Sequence, residues 1–441
     1  MTFRPTRRIL RILERDRKVM LTTTRVPYPF VADSIKGDYA FDIEGNKFID
    51  FTSFISVYNF GEGPREAVRN AVKSQSEKLT HPAFYDFYCA QPVEYAEKLL
   101  TMFPKGFGRV FFSNSGTEAN EAALKFSRLF TGRQYTIAFY NSFHGRTMGS
   151  LGLTSSKPVQ RRHFGPFNSV VHTPYAYCYR CPFGREYGSC GLECVDYIRK
   201  NTLGKDISGK EACAIFIEPV QGEGGIVVPP AEFVKGVRKI ADENGILLVS
   251  DEVQAGYMRT GKFLALDNFG VKADIYTLAK AAGGGLPIGI TVTRTSLGDI
   301  PAGSHSNTFG GNLASIAAAG ATLDYVRKNT ESIRRKSGEN GALIMKRLSE
   351  MHERYEIVGD VRGIGMMFGV ELVKDKRSKA PAVMEVDTIL KSCFENGLLL
   401  LPAGVSTIRI MPPLTMSSQN IERGLDIFEK AIKAANSRAG S

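Results

Sequence analysis

A strand, a helix and a second strand follow one another between residues 212 and 250. The continuously apolar run 212–217 predicts a buried strand. Apolar residues then recur at helical spacing as far as Asn244-Gly245, and the apolar run 246–249, followed by Ser250, predicts the next strand. Strands and helices keep alternating from about residue 71 to 312, which is typical of a mostly parallel sheet covered by helices. The sequence therefore predicts an α/β fold.

The two ends of the chain differ from this pattern. Residues 39–43 and 47–51 alternate between apolar and polar side chains around the turn Glu44-Gly45-Asn46, which predicts a hairpin. The region 313–441 contains a long helical stretch, short strands and a final amphipathic helix. We expect a large domain at 71–312 and a smaller α+β domain at 313–441, which the N-terminal segment 1–70 joins.

Composition and charge exclude several classes of protein. The 441 residues are 43% hydrophobic, and their longest apolar runs fall far short of the roughly 18 residues that span a bilayer. The net charge is +12, but the basic residues are spread along the chain rather than grouped in blocks, so we expect no nucleic-acid partner. The first twenty residues lack an apolar stretch followed by a cleavage site, so we expect a cytoplasmic protein without a secretory signal.

Three ionisable residues follow the ends of predicted strands. Glu218 and Asp251 come directly after their strands, and Lys280 follows the run 274–278 after one residue. Ligands of open α/β sheets bind outside the carboxyl ends of the strands. A charged residue at one strand end is ordinary in an α/β protein, but three of them predict a common site.

A fourth strand end lies at 109–113, where a polar turn precedes a helical run. The turn contains Ser115, Gly116 and Thr117. A helix that begins with free N–H groups and a small glycine binds anions such as phosphate, although serine and threonine also cap helices without any ligand. The segment is therefore either a phosphate site or a simple helix cap.

The surroundings of Lys280 narrow the chemistry. Three glycines at 283–285 allow a ligand to approach the backbone closely. A lysine in such a position can form a Schiff base, and Asp251 can hold the ring nitrogen of a carbonyl cofactor protonated. A phosphate site, a lysine and an acid together predict pyridoxal phosphate as the cofactor.

With these motifs the chain resembles the fold-type I, class III pyridoxal-phosphate aminotransferases, the family of 4-aminobutyrate, ornithine and acetylornithine aminotransferases. The resemblance covers nearly the whole chain. The motifs that carry it are Asp50-Phe51, 113–121, 143–147, 218–225, 251–254, Lys280, 307–312 and Arg409.

The resemblance implies a role for each residue near the cofactor. Lys280 would form the Schiff base and act as the catalytic base, and Asp251 would pair with the pyridine nitrogen. Other residues would contact the ring or its phosphate: Phe143, Val253, Gln254, Ser115, Gly116 and Thr117. Thr308 would reach the phosphate of the neighbouring subunit, which implies a homodimer or a higher homo-oligomer.

The resemblance also implies substrate contacts. Arg409 would bind the α-carboxylate of glutamate and pair with Glu218 when an ω-amine is bound. Arg146 would bind the distal carboxylate, although a structural salt bridge is an alternative for this residue. Ile55 lies in the segment that lines the substrate entrance in relatives, next to Phe54. The family usually has a small residue at position 54, so Phe54 narrows or reshapes the pocket.

The function that the resemblance implies is transfer of an amino group from an ω-amino acid, or another amino acid, to 2-oxoglutarate by a ping-pong mechanism. Amino-acid racemase or aminomutase activity on the same fold is the alternative, because the same lysine can return the proton to Cα.

Four cysteines and one histidine leave further alternatives. Cys178, Cys181, Cys190 and Cys194 have the pattern C-x2-C, eight residues, C-x3-C. Such thiols can bind zinc or an iron–sulfur cluster, form a disulfide such as Cys181–Cys190, or stay free, and we expect no metal. We interpret His144 as a structural histidine rather than a metal ligand, because no second ligand lies near it in the sequence.

Overall fold

The structure, a computed structural model, describes residues 3–24, 26–167 and 169–439. The chain forms two compact units. One runs from Pro64 to Arg334, and the other combines the residues up to Gly63 with those from Arg335 onward. The upper limit of the first of these units lies inside a long helix, whereas the sequence places the end of the large domain at residue 312, just before that helix begins.

The bounds of the secondary structure are as follows. The strands are β1 (Ala32–Lys36), β2 (Tyr39–Asp42), β3 (Lys47–Asp50), β4 (Phe107–Ser113), β5 (Tyr135–Phe139), β6 (Val170–Thr173), β7 (Ala212–Ile217), β8 (Leu247–Asp251), β9 (Ile275–Leu278), β10 (Gly289–Arg294), β11 (Val358–Ile364), β12 (Met367–Leu372), β13 (Leu398–Leu399), β14 (Leu401–Ala403) and β15 (Thr407–Ile410). The α-helices are α1 (Arg7–Val19), α2 (Ser53–Ser56), α3 (Arg65–Ser76), α4 (Ala90–Leu100), α5 (Gly116–Thr131), α6 (Met148–Leu153), α7 (Glu193–Tyr197), α8 (Ala231–Asn244), α9 (Leu313–Arg354), α10 (Val383–Glu395) and α11 (Ser418–Ala439).

The unit from Pro64 to Arg334 contains a seven-stranded sheet. Its strand order is β4-β10-β9-β8-β7-β5-β6, and β10 alone runs antiparallel to the other six. This confirms the predicted α/β class with a mostly parallel sheet. Helix α5 packs on the sheet through Ala123 and Leu124, which join a buried cluster with Phe216, Val249 and Ile275.

The predicted strand–helix–strand unit is present as β7, α8 and β8. Every residue of β7 is buried, as its continuous apolar run predicts. Gly245 ends α8 in the left-handed conformation, with φ +59°, and its N–H bonds to the last carbonyls of the helix. A glycine adopts this conformation without the steric cost that a Cβ would bring.

The other unit holds two four-stranded sheets. The predicted hairpin is present, with β2 and β3 antiparallel and Ala40 opposite Phe48. Strand β13 pairs in parallel with β3, so residues from both ends of the chain share a sheet. The second sheet, β11-β12-β15-β14, is antiparallel. Phe48 stacks on Phe394 with ring centroids 5.0 Å apart, which places an aromatic core under the first sheet.

Within the described residues, no helix is both long enough and apolar enough to cross a membrane.

Candidate active site

Residues at one edge of the seven-stranded sheet form the candidate site. In the parallel pairing of β7 with β8, Ile217 lies opposite Ser250, so Glu218 and Asp251 leave neighbouring strands at the same edge. In the pairing of β8 with β9, Asp251 lies opposite Thr277, three residues before Lys280. The register therefore brings the three strand-end residues to one region.

Asp251 is 4% exposed and its carboxylate is held from several sides. Its Oδ2 accepts hydrogen bonds from His144 Nδ1 at 2.8 Å and from Asn120 Nδ2 at 2.7 Å. Its Oδ1 accepts from the backbone N–H of Val253 at 3.0 Å. Since a carboxylate only accepts, the His144 proton in this contact is on Nδ1. The direction in which the carboxylate points is therefore fixed.

The sequence alone did not suggest two contacts of Asp251, which are the hydrogen bond from Asn120 and the hydrogen bond from His144. The Asn120 amide also donates to His144 O at 2.7 Å and accepts from Thr277 Oγ1 at 2.8 Å. It thus ties α5 to β8, to β9 and to the segment after β5. The sequence signal that points to His144 is its position directly after Phe143 in the motif 143–147. The interpretation of His144 as a structural histidine rather than a metal ligand stays a prediction, and its ring contacts the candidate catalytic carboxylate.

Lys280 begins a single 3₁₀ turn, Lys280–Gly283, and is half-buried. Its φ is +48°, in the left-handed region that residues other than glycine rarely adopt. Such conformations persist where surrounding structure imposes them, and they cluster at functional sites. The structure therefore fixes the backbone from which this lysine extends.

The turn before α5 resembles a capping box, but Glu118 reaches the N–H of Asn114, one residue before the cap Ser115. The Ser115 side chain accepts from the backbone N–H of Glu118 at 3.3 Å, and Glu118 Oε2 accepts from the N–H of Asn114 at 2.6 Å. A Cβ on Gly116 would lie 2.8 Å from Val253 Cγ1, so a glycine is required for this close approach. Thr117 Oγ1 lies within 2.6 Å of the Ser150 hydroxyl. The turn therefore combines a helix cap with a polar N-terminus of a helix, which suits a phosphate.

Pyridoxal phosphate fits the remaining residues of this unit. Gln254 Oε1 is buried and has no hydrogen-bond partner among the described residues, although buried polar atoms are nearly always paired. A phenolic hydroxyl of the cofactor would supply that partner. Phe143 and Val253 are half-buried, so each retains surface for a ring. The donor set thus matches the cofactor that the sequence predicts.

Glu218 is 6% exposed and anchored by two backbone donors. Its Oε1 accepts from the N–H of Phe143 at 2.8 Å, and its Oε2 accepts from the N–H of Gly222 at 2.9 Å. Burial raises the pKa of Glu218 to about 7, and the charge of Asp251 adds to the rise, while His144 and the two N–H donors oppose it. The group therefore titrates near neutral pH.

The other expected substrate residues are placed as follows. Arg146 is exposed, and its guanidinium carbon lies 5.6 Å from the centre of the Phe143 ring. No ion pair of Arg146 exists within the residues that the structure describes, so the salt-bridge alternative finds no partner there. Thr308 is exposed in the same unit. Arg409 is 8% exposed in β15, and Ile55 is 40% exposed, both in the other unit.

Ile55 belongs to an unusual turn. Ser53, Phe54, Ile55 and Ser56 all have positive φ, between +47° and +62°, so α2 is left-handed. Asp50 Oδ1 holds the turn by accepting from the N–H and the hydroxyl of Thr52, at 2.8 and 2.6 Å. A left-handed turn costs roughly 1–2 kcal/mol per residue, so the four residues keep it only because surrounding structure, these bonds included, imposes the conformation.

The four cysteines Cys178, Cys181, Cys190 and Cys194 line one open pocket, and all four are free and half-buried. Burial raises the pKa of Cys178 to about 11 and that of Cys194 to about 12, and neighbouring thiols of the cluster add to both. Among the residues with described positions, no three histidine, cysteine or acidic side chains are arranged to hold a metal ion. The disulfide Cys181–Cys190 is absent from this structure.

Comparison with known proteins places the chain in a family. Residues 21–432 match the family model for class III aminotransferases. A leucine/methionine racemase of Thermococcus litoralis is 40% identical over 423 residues, which cover 96% of this chain and 95% of that protein. A probable 4-aminobutyrate aminotransferase of Bacillus subtilis is 35% identical over 91% of this chain and 93% of that protein.

A solved structure agrees with this match. The taurine:2-oxoglutarate aminotransferase of Bifidobacterium kashiwanohense, in complex with pyridoxal phosphate and glutamate, superposes with a TM-score of 0.88 at 26% identity and covers 99% of each chain. The chain therefore belongs to the class III aminotransferase family, and it is a pyridoxal-phosphate-dependent enzyme. The family that the sequence motifs indicate is confirmed.

Proposed function

We propose that this enzyme transfers the amino group of an amino acid, including ω-amino acids such as 4-aminobutyrate or ornithine, to 2-oxoglutarate in two half-reactions. The observation that carries the proposal is the buried Asp251 carboxylate, bound by His144 and Asn120 at the sheet edge where Lys280 lies. An oriented acid and a lysine at one edge of the sheet are the groups that amino-group chemistry on this cofactor requires.

Each chain residue then has a task. When bound, pyridoxal phosphate supplies an aldehyde for the amino group and a ring that delocalises negative charge. Asp251 holds the proton on the ring nitrogen, and its bonds to His144 and Asn120 keep it aimed there. Lys280 Nζ removes the proton from the substrate Cα. Gln254 Oε1 would accept a hydrogen bond from the phenolic hydroxyl, and the turn 115–117 would bind the phosphate.

The substrate side of the proposal rests on two further residues. Glu218 is a buried carboxylate at the same sheet edge, and Arg409 is a buried guanidinium in β15. Arg409 would bind the α-carboxylate of glutamate, with Glu218 as its partner when an ω-amine is bound. Ile55 would line the entrance, and Arg146 would bind the distal carboxylate. A homodimer that places Thr308 at the partner's phosphate, and a cytoplasmic location, stay predictions of the same proposal.

A specific observation favours racemisation as a second candidate. The racemase of Thermococcus litoralis is 40% identical to this chain over nearly its whole length. Racemisation needs the same acid and base, because the proton is returned to Cα instead of the cofactor. Phe54, where the family usually has a small residue, is consistent with a pocket for an apolar side chain.

Incubation with single amino acids separates the two functions. The enzyme is given L-leucine, L-methionine, L-alanine, 4-aminobutyrate or ornithine, first without any 2-oxo acid and then with 2-oxoglutarate. An aminotransferase releases at most one oxo product per site until 2-oxoglutarate is added, and then forms glutamate continuously. Continuous formation of the D-isomer without 2-oxoglutarate, and no glutamate with it, would overturn the proposed transamination.

A further inference from the structure

Three hydroxyls form a cluster beside the first turn of α5. The Thr117 Oγ1 lies 2.6 Å from the hydroxyl of Ser150 and 2.9 Å from that of Thr147, and these two are 3.0 Å apart. The carboxylate of Glu121 binds this cluster. Glu121 Oε1 accepts from the Thr147 hydroxyl at 2.5 Å and from the backbone N–H of Ser150 at 2.9 Å.

Two glycines make room for this arrangement. A Cβ on Gly145 would lie 2.0 Å from Thr117 Oγ1 and 2.4 Å from Ser150 Oγ. A Cβ on Gly149 would lie 2.1 Å from Glu121 Oε2. Any side chain at either position would therefore displace the hydroxyl cluster or the carboxylate that holds it.

We propose that Glu121 is a positioning residue for the phosphate of the cofactor and acts through Thr147 and Ser150 on Thr117. The proposal rests on the assignment of the turn 115–117 as the phosphate site. Glu121 lies four residues after Thr117 in α5, so both side chains share one face of the helix. That spacing lets the carboxylate reach the segment 147–150 at the same place as Thr117.

The bonds that reach Thr117 Oγ1 give the physical reason. A hydroxyl has one proton and two lone pairs. The Thr147 proton goes to Glu121, since a carboxylate only accepts, and Thr147 then offers a lone pair to the cluster. Thr117 Oγ1 accepts from the N–H groups of Arg146 and Thr147, at 3.2 and 3.4 Å. These contacts hold Thr117 Oγ1 in one position at the first turn of α5, so its hydroxyl is placed in the turn 115–117 that would bind the phosphate.

The test compares a ligand that has the phosphate with one that lacks it. Dissociation constants of pyridoxal phosphate and of pyridoxal are measured by equilibrium dialysis for the full chain, for Glu121→Ala and for Thr147→Val. We expect both variants to bind pyridoxal phosphate about tenfold more weakly, and pyridoxal within about twofold of the unmodified protein. The double variant of Glu121→Ala with Thr147→Val binds pyridoxal phosphate no more weakly than either single variant does. The reason is that each substitution breaks the same connection between Glu121 and Thr117. Glu97→Ala, at an exposed position of α4, is the matched control and leaves both constants unchanged.

Three results would overturn the proposal. Equal weakening of both ligands would mean that Glu121 only stabilises the fold. Unchanged binding of pyridoxal phosphate in both variants would mean that the cluster does not act on the phosphate. Tighter binding in Glu121→Ala would mean that the charge of Glu121 repels the phosphate. Thr147→Val retains the volume of the side chain, so it keeps the test decisive if Glu121→Ala fails to fold. The measurement contains no amino acid or oxo acid, so it does not depend on which reaction the enzyme catalyses.

Discussion

The titration of Glu218 gives a prediction whose size follows from the structure. Burial raises its pKa from the ordinary 4.5 to about 7. Between these values the folded protein binds a proton that the unfolded chain has released. The contribution of Glu218 to the free energy of unfolding is therefore fully present below pH 4.5 and is lost as the pH rises through about 7. At 1.36 kcal/mol for each pKa unit, the whole loss amounts to about 3 kcal/mol.

Substitution Glu218→Gln removes this titration and keeps the shape of the side chain. The free energy of unfolding is measured in urea for the cofactor-free protein and for the variant, at pH 5 and at pH 8. We expect the variant to gain between about 2 and 3 kcal/mol relative to the unmodified protein over this interval. Glu252, whose pKa burial also raises to about 7, titrates in both proteins, so its effect cancels in the difference.

A comparison between the two pH values and one control variant define the result that would refute this reasoning. The constant cost of placing an amide near the N–H groups of Phe143 and Gly222 is the same at both pH values, so only the change with pH is interpreted. Glu97→Gln, at an exposed position, has no pH-dependent effect. A difference between Glu218→Gln and the unmodified protein that stays constant from pH 5 to pH 8, or that falls, shows that Glu218 is ionised in the folded protein throughout.

Three further predictions concern the cofactor site. Lys280→Ala loses turnover with every substrate, and borohydride no longer fixes the cofactor to the chain; turnover near the unmodified rate would show that another base acts. His144→Phe keeps an aromatic ring but removes one donor to Asp251, and we expect kcat/KM to fall about tenfold, while an unchanged rate would make His144 purely structural. Gly116→Ala places a Cβ 2.8 Å from Val253 Cγ1, so we expect weaker binding of pyridoxal phosphate in dialysis, with recovery in the double variant that also carries Val253→Ala. No recovery would mean that the clash lies elsewhere.

Much of the fold follows from the sequence because local patterns determine it. The apolar run 212–217 has no polar face, so only a strand buried on both sides satisfies it, and β7 is such a strand. Gly245 ends α8 because a glycine adopts the left-handed conformation without steric cost, and this preference can be read from the sequence alone. The left-handed turn at 53–56 could not be predicted in this way, since none of its four residues is a glycine. Bonds from Asp50 and Thr52 impose it, and local propensity opposes it.

The candidate site shows where such patterns stop being informative. Strand ends nominate Asp251 and Lys280 because the carboxyl ends of parallel strands meet at one edge of the sheet. The groups that orient Asp251 are remote in the chain: Asn120 is 131 residues away and His144 is 107 residues away. No periodicity connects residues at such separations, so only the packing of α5 and of the segment after β5 against the sheet brings them together. A sequence motif can therefore name the carboxylate, but the direction in which that carboxylate points depends on donors that the fold alone supplies.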